Sequence, residues 1–182
     1  MKMVLEGKRT DAWRDRRVWY GTAECGLGWV LAAATERGVC RVAFGEGEGE
    51  LVGLLVREFA GALLEEGGEG FREGVLAGVL EAVEEPGGEV GMDVDLVGTP
   101  FQLAVWDALR GIPAGQVRTY GEVARAVGRP GAARAVGAAC GANRVAVLVP
   151  CHRVVGAGGS LGGYRWGVWR KRVLLEREGW RG

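Results

Sequence analysis

The chain has one histidine, and it directly follows a cysteine: His152 lies in Pro150-Cys151-His152-Arg153. The thiolate is the nucleophilic form of cysteine, and a nearby imidazole or cation lowers the pKa of a thiol. His152 is also the only side chain here whose ordinary pKa makes it a base near neutral pH. On residue type alone two readings stand: a nucleophile beside its general base, or a buried structural Cys–His pair. Other rare residues narrow the chemistry. A His-rich metal site is excluded, and the single serine, Ser160, lacks the Gly-x-Ser-x-Gly context of a serine nucleophile. Cys25, Cys40, Cys140 and Cys151 form no CxxC pair, so no zinc site is expected. Cys25, Cys40 and Cys140 read as free thiols acting as small core hydrophobes.

These residues depend on the elements around them. Val145-Ala-Val-Leu-Val149 is an unbroken apolar run and reads as a buried strand. Pro150 has no N–H and biases Val149 to extended geometry, so the chain should leave the sheet at Cys151. Neighbours on a regular strand point to opposite faces, so His152 needs a turn or a bridging water to reach the thiol. Upstream, Thr99 can cap a helix with Pro100 at its first position, and Phe101, Ala104, Val105, Ala108 and Leu109 mark one apolar face. A short strand or turn over 117–120 leads to a short helix over 122–127 and another over 131–142, the latter built almost wholly of Ala, Gly and Val. Two short helices joined by a tight turn, with basic residues on the second, fit a helix-turn-helix or an ordinary αα-hairpin.

The first half reads as α+β. Residues 29–34 and 39–44 are apolar runs around a Gly-ended turn, a β-hairpin pattern. Residues 45–50 read as a solvated acidic loop. Val52, Leu55, Val56, Phe59 and Leu63 fall at helical spacing. A second helix is expected over 71–83, a break at 85–89 and a short strand over 93–97. Nothing in this half carries recognisable chemistry, and it reads as a supporting unit.

At 182 residues, with 48% hydrophobic and 25% charged side chains, the chain has an ordinary globular composition. The formal net charge is zero, but that zero is a cancellation. Residues 1–96 carry 10 basic and 19 acidic side chains, and residues 97–182 carry 13 and 4. Such asymmetry points to two units with different tasks, the basic one suited to a polyanion. No apolar run is long enough to span a bilayer. The first ten residues lack the apolar core of a signal peptide, so an intracellular place is expected: cytoplasmic, nucleoid-associated on DNA, or nuclear in a eukaryote.

Residues 97–180 resemble the C-terminal domain of the O6-alkylguanine-DNA alkyltransferases, also called methylated-DNA–protein-cysteine methyltransferases. The resemblance rests on Pro150-Cys-His-Arg-Val-Val155, Ala132-Ala-Arg-Ala-Val-Gly137, Asn143, Thr119-Tyr-Gly-Glu-Val-Ala124, the Tyr164 region and Glu178-Gly179. It implies two domains: a ribonuclease-H-like α/β domain over 1–96 and a mostly helical, winged helix-turn-helix-like DNA-binding domain over 97–182. It implies a monomer on double-stranded DNA, with no membrane and no cofactor. Cys151 would take the alkyl group of O6-alkylguanine, or of O4-alkylthymine, in one irreversible event. His152 would act as base through a water, Glu178 would orient the imidazole, and Asn143 would hold the turn before the apolar run. From the residues alone, Glu178 reads as a solvated helix end. Arg134 would fill the stack vacated by a flipped base, with Thr119, Ala133, Ala135 and Gly137 close to the minor groove. Tyr120 would help rotate the nucleotide and donate to the leaving purine. Pro150, Val154, Ser160, Tyr164, Arg165 and Trp166 would form the pocket, with bulky Trp166 narrowing it. Arg165, Arg170, Lys171 and Arg172 read as a solvated or phosphate-facing set.

Three other readings compete: a lesion-binding protein that transfers nothing, a helix-turn-helix transcription regulator, and a cysteine hydrolase using Cys151, His152 and Glu178.

Overall fold

A computed structural model describes residues 12–87 and 91–182; residues 1–11 and part of the 85–89 break lie outside the described residues. Its first half is a four-stranded mixed sheet. β1 (Arg17–Cys25), β2 (Gly28–Thr35) and β3 (Gly38–Gly45) form an antiparallel meander, and β4 (Leu63–Glu66) pairs parallel to β1, giving the order β3-β2-β1-β4. The expected hairpin is β2–β3. β1 has no counterpart in the sequence reading because its burial does not alternate, so it shows no clean period of two.

α1 (Glu48–Glu58) crosses the sheet with Leu51 and Leu55 inward. It takes in part of the acidic stretch expected to be loop, since Glu48 and Glu50 lie in its first turn, where carboxylates favour the helix dipole. Leu63, expected on this helix, is instead exposed on β4. The helix ends at Phe59, and Gly61 takes a positive φ of 88° that turns the chain back to the sheet. Residues 69–84 are helical throughout, as α2 (Glu69–Phe71), a π-turn (Arg72–Leu76) and α3 (Ala77–Glu84). The strand expected over 93–97 is reduced to one bridge, Val94 to Val39.

The second half is mostly helical. α4 (Pro100–Arg110) begins at a capping box, with Thr99 accepting from Gln102 N and the Gln102 side chain accepting from Thr99 N. β5 (Arg118–Thr119) leads to α5 (Tyr120–Ala126), and α6 (Ala133–Gly141) follows a turn in which Gly128 and Gly131 take positive φ. Trp106 Nε1 donates to Ala139 O at 2.9 Å and ties α4 to α6. β6 (Val154–Val155) pairs parallel with β5, and α7 (Val168–Arg177) closes the chain. This is the expected α+β class. No helix of the described residues is long and apolar enough to cross a membrane.

The two halves share one apolar core that runs from Trp13 to Leu174. Polar ties reinforce it. Arg170 Nε donates to Leu27 O at 2.8 Å, Arg177 Nη1 to Val83 O at 2.6 Å and Arg41 Nη1 to Arg144 O at 2.9 Å. Arg170 and Lys171 are therefore buried, contrary to the solvated face expected from their charge; Arg165 and Arg172 are exposed. Lys171 lies on the same face as Leu174 and Leu175, three and four residues on, and that spacing carries it inward.

Candidate active site

The apolar run 145–149 is buried as expected but is not a strand. Leu148 N donates to Ala146 O and Val149 N to Val145 O, so the segment turns on itself, with a single bridge from Val145 to Val42. Val147 sits at φ +69°, a conformation β-branched residues avoid. An apolar run reports burial; it does not report where the backbone hydrogen bonds go.

Buried Asn143 holds this segment. Its Oδ1 accepts from Val145 N at 3.0 Å, while Nδ2 donates to Val149 O at 2.8 Å and to Cys151 Sγ at 3.2 Å. The contact to sulfur was not foreseen. Asn143→Ala would leave Val145 N and Val149 O without these partners in the interior, costing about 2–4 kcal/mol. It would also raise the thiol pKa by removing a donor to the thiolate. Thermal melting and the pH profile of Cys151 alkylation by a small haloacetamide check both, and an unchanged profile would contradict the assigned role of Asn143.

Cys151, His152 and Arg153 form a single 3₁₀ turn after Pro150. At three residues per turn, neighbouring side chains diverge by a third of a revolution instead of lying on opposite faces, which eases the constraint a strand would impose. His152 is fully buried, and its Nε2 lies 2.7 Å from Glu178 Oε1. Its Nδ1 is buried with no hydrogen-bond partner. Glu178 follows the last turn of α7, yet its carboxylate is sealed from solvent, so the solvated helix end suggested by the residues alone is not what forms.

Arg153, given no role in the sequence reading despite its place in the motif, clamps that carboxylate. Its Nε lies 3.0 and 3.1 Å from the two oxygens, and Nη2 lies 2.9 Å from Oε1. Gly115 N adds a donor to Oε2 at 3.2 Å. Gly115 has φ +74°, and a Cβ there would lie 2.7 Å from Glu178 O, so the position needs glycine.

The electrostatics follow from burial and these bonds. Burial pushes the Cys151 thiol up, opposed by the Asn143 donor and the Lys171 charge. Burial pulls His152 down, opposed by Glu178. Burial alone would raise Glu178, but hydrogen bonds from His152 and Arg153 bring it below the ordinary carboxylate range. The resting site is a neutral thiol, a neutral imidazole and an ionised carboxylate. The thiol proton must therefore leave as the sulfur reacts, and the imidazole–carboxylate pair is ready to take it.

Cys151 opens on a cavity of about 380 Å³ lined by Tyr120, Gly137, Cys140, Cys151, Tyr164 and Arg165, with Gly141 and Gly163 between them. Cys140, read from sequence as a core residue, thus faces the same space. Tyr120 begins α5, where Thr119 forms a capping box with Glu122. On α6, Arg134 and Ala135 are exposed, Ala133 and Gly137 partly so, and Val136 and Ala139 face the core.

Of the expected pocket residues, Tyr164 and Arg165 line the cavity. Pro150 precedes the 3₁₀ turn, Val154 is buried in β6, and Ser160 is exposed on the rim loop, its carbonyl accepting from Gly156 N at 2.7 Å. Trp166 does not wall the cavity as the resemblance implied. Its ring is buried against Phe44 at 6.5 Å between centroids, and the guanidiniums of Arg41 and Arg165 lie over it at 5.0 and 4.9 Å. A large apolar ring gains more from that core contact than from a polar mouth. Lys171, also unforeseen here, donates Nζ to Val154 O at 2.5 Å and to Leu161 O, tying the reactive turn to the rim loop. Among the described residues, no cluster of His, Cys, Asp and Glu could hold a metal ion.

The chain is similar to known proteins in sequence and in fold. The profile of a family described as "6-O-methylguanine DNA methyltransferase, DNA binding domain" matches residues 100–180. The chain is 42% identical over 161 residues to the "Bifunctional transcriptional activator/DNA repair enzyme Ada" of Escherichia coli, an alignment covering 88% of this chain and 45% of that one. It is 58% identical over 90 residues to a methylated-DNA–protein-cysteine methyltransferase of Mycobacterium tuberculosis, covering 50% and 54%. Among solved structures, that of Mycobacterium tuberculosis OGT in complex with DNA superposes with a TM-score of 0.73 at 37% identity, covering 88% of this chain and 92% of that one. The O6-methylguanine-DNA methyltransferase of Pyrococcus kodakaraensis superposes with a TM-score of 0.64 at 27% identity, covering 89% and 99%. The chain spans about half the length of the curated relatives it matches.

Proposed function

The chain belongs to the O6-methylguanine-DNA methyltransferase family, and from that premise we propose that it repairs duplex DNA by taking the alkyl group of O6-alkylguanine onto Cys151. O4-alkylthymine is a second lesion of the same chemistry. The observation that carries the reading is the thiol itself: a buried Sγ at the wall of a cavity, with the Asn143 amide 3.2 Å away and the His152–Glu178 pair beside it.

The reacting carbon of such a lesion is stacked inside the duplex, so the nucleotide must be turned out, at a cost of a few kcal/mol. Exposed Arg134 is placed to fill the vacated stack, and small neighbours on α6 let its backbone approach the minor groove. Tyr120, at the cavity wall, guides the nucleotide and donates to the departing purine. The Cys151 thiol gives its proton through a water to the free Nδ1 of His152 while Glu178 holds Nε2. The new S–C bond forms as the C–O6 bond breaks, the electron pair leaves on the purine oxygen, and a proton returns to the purine. The thioether has no good leaving group, so each chain reacts once. The protein acts as a monomer, needs no cofactor, and works where the DNA is; most of its acidic half faces away from the phosphates and supports the site.

Intact-mass measurement after incubation with a duplex containing O6-methylguanine tests this. The expected result is one methyl group, located on the peptide that contains Cys151 and absent in Cys151→Ser. Tight binding without a mass change would replace the reading with that of a lesion-binding protein.

A further inference from the structure

The wall of the Cys151 cavity is held from the other half of the molecule. Arg165 lines the cavity on a glycine-rich loop. Its Nη2 forms an ion pair with Oε1 of Glu58, the last residue of α1, 107 positions earlier. The other carboxylate oxygen of Glu58 lies 3.1 Å from Nε of Arg41, which is completely buried. Both guanidiniums also lie over the Trp166 ring, that of Arg165 at 4.9 Å and that of Arg41 at 5.0 Å. Arg144 completes the cationic set, near enough to Arg41 to lower its pKa; together with burial, which dominates, this brings Arg41 down to about 10. Two guanidiniums thus share one carboxylate at the edge of the cavity, with a third beside Arg41.

The two ends of this cluster are unequal. The Arg41 side chain is sealed, whereas that of Arg165 is 32% exposed. If Arg165 turns outward, Glu58 keeps Arg41 as its partner and Arg165 can keep the indole face, so neither charge is left bare in the interior. The carboxylate can therefore be exchanged for another anion at small cost, because a partly exposed ion pair is weak.

We propose that Glu58 and Arg165 form a latch on the alkyl-accepting site: in the free protein Glu58 holds Arg165, and on DNA a backbone phosphate beside the extruded nucleotide takes Arg165 in its place. The inference rests on the function proposed above and adds a positioning residue from the half that carries no chemistry. It also gives that half's acidic excess a local task, since Glu58 competes with phosphate for Arg165 and restrains binding to intact DNA.

The test is a double-mutant cycle read by duplex affinity across a salt series, using undamaged DNA and the full chain. Glu58→Gln removes the competing charge and is expected to tighten binding about two- to fivefold, the range a partly exposed ion pair is worth. Arg165→Gln loses a phosphate contact and is expected to flatten the plot of log K against log salt by about 0.9. Glu58→Gln in the Arg165→Gln background should then bind no tighter than Arg165→Gln alone. Unchanged or weaker binding by Glu58→Gln overturns the latch, as does a gain that persists without Arg165, which would mark general repulsion. If Glu58→Gln melts early through its contact with Arg41, the salt slope of Arg165→Gln, on an exposed loop, decides alone, and an unchanged slope refutes the exchange. Methyl uptake by the wild-type chain is measured in parallel. A wild type that neither binds duplex nor takes up methyl overturns the parent reading and the latch together; one that does both while the cycle fails loses only the latch.

Discussion

Glu178→Ala is expected to destabilise the protein by about 3–5 kcal/mol, the cost of removing one partner from a buried ionic cluster. Arg153 would lose a carboxylate held by three contacts of 2.9 to 3.1 Å, and His152 would lose the acceptor 2.7 Å from Nε2. Methyl transfer should slow about a hundredfold, at the lower end of what a positioned general base supplies. DNA affinity should hold, because Glu178 is sealed from the surface. Glu178→Asp, which keeps the charge, should recover part of the rate. Equal loss of affinity and rate would show a merely structural role.

The same cluster fixes how stability responds to pH. His152 is lowered in the fold by burial, so the folded state resists the proton that the unfolded chain accepts. Stability should therefore decline as pH falls through the ordinary His pKa of about 6.5 and below. Glu178 is held below the carboxylate range, so its contribution is complete above that range and is lost only at more acidic pH, as it protonates in the fold. Both effects have one sign: acid destabilises. Chemical denaturation at pH 7.5 and 5.5 measures the first loss, and equal midpoints would contradict a neutral buried imidazole.

Lys171→Met is expected to lower stability by about 2–4 kcal/mol, since Val154 O and Leu161 O would each lose a buried donor. In a chain of this size that shifts the melting temperature by roughly 5–15 °C. Methionine keeps the length and the apolar stem, so the change isolates the ammonium. That ammonium also favours the Cys151 thiolate and joins the reactive turn to the rim loop, so transfer should slow about tenfold. A melting point within a degree or two of wild type, with an unchanged rate, would mean that the ammonium does neither.

Much of this was legible in the residues. Thr99-Pro100 marked a helix start because capping needs only neighbours in sequence. The β2–β3 hairpin was legible for the same reason. The Cys151–His152 pair was visible as types and spacing, and Asn143 through the family resemblance. What escaped the residues themselves was the relation between distant segments; the Glu178–His152 pair came only through the family resemblance. Glu178 reads as a helix end until Arg153 and His152 close over it. Lys171 reads as a surface charge until two carbonyl oxygens meet it inside. Trp166 was assigned to the cavity, yet its ring went to the sheet.

By itself, then, the sequence determined the basic and acidic halves and the local starts and stops, because each follows from residue type or from contacts within a turn; the class of chemistry came from the resemblance of its motifs to a family. Only the tertiary structure decided which charges are buried and what holds them. Burial and long-range pairing depend on segments up to 143 residues apart, such as Arg170 and Leu27, and no local pattern encodes which of them meet.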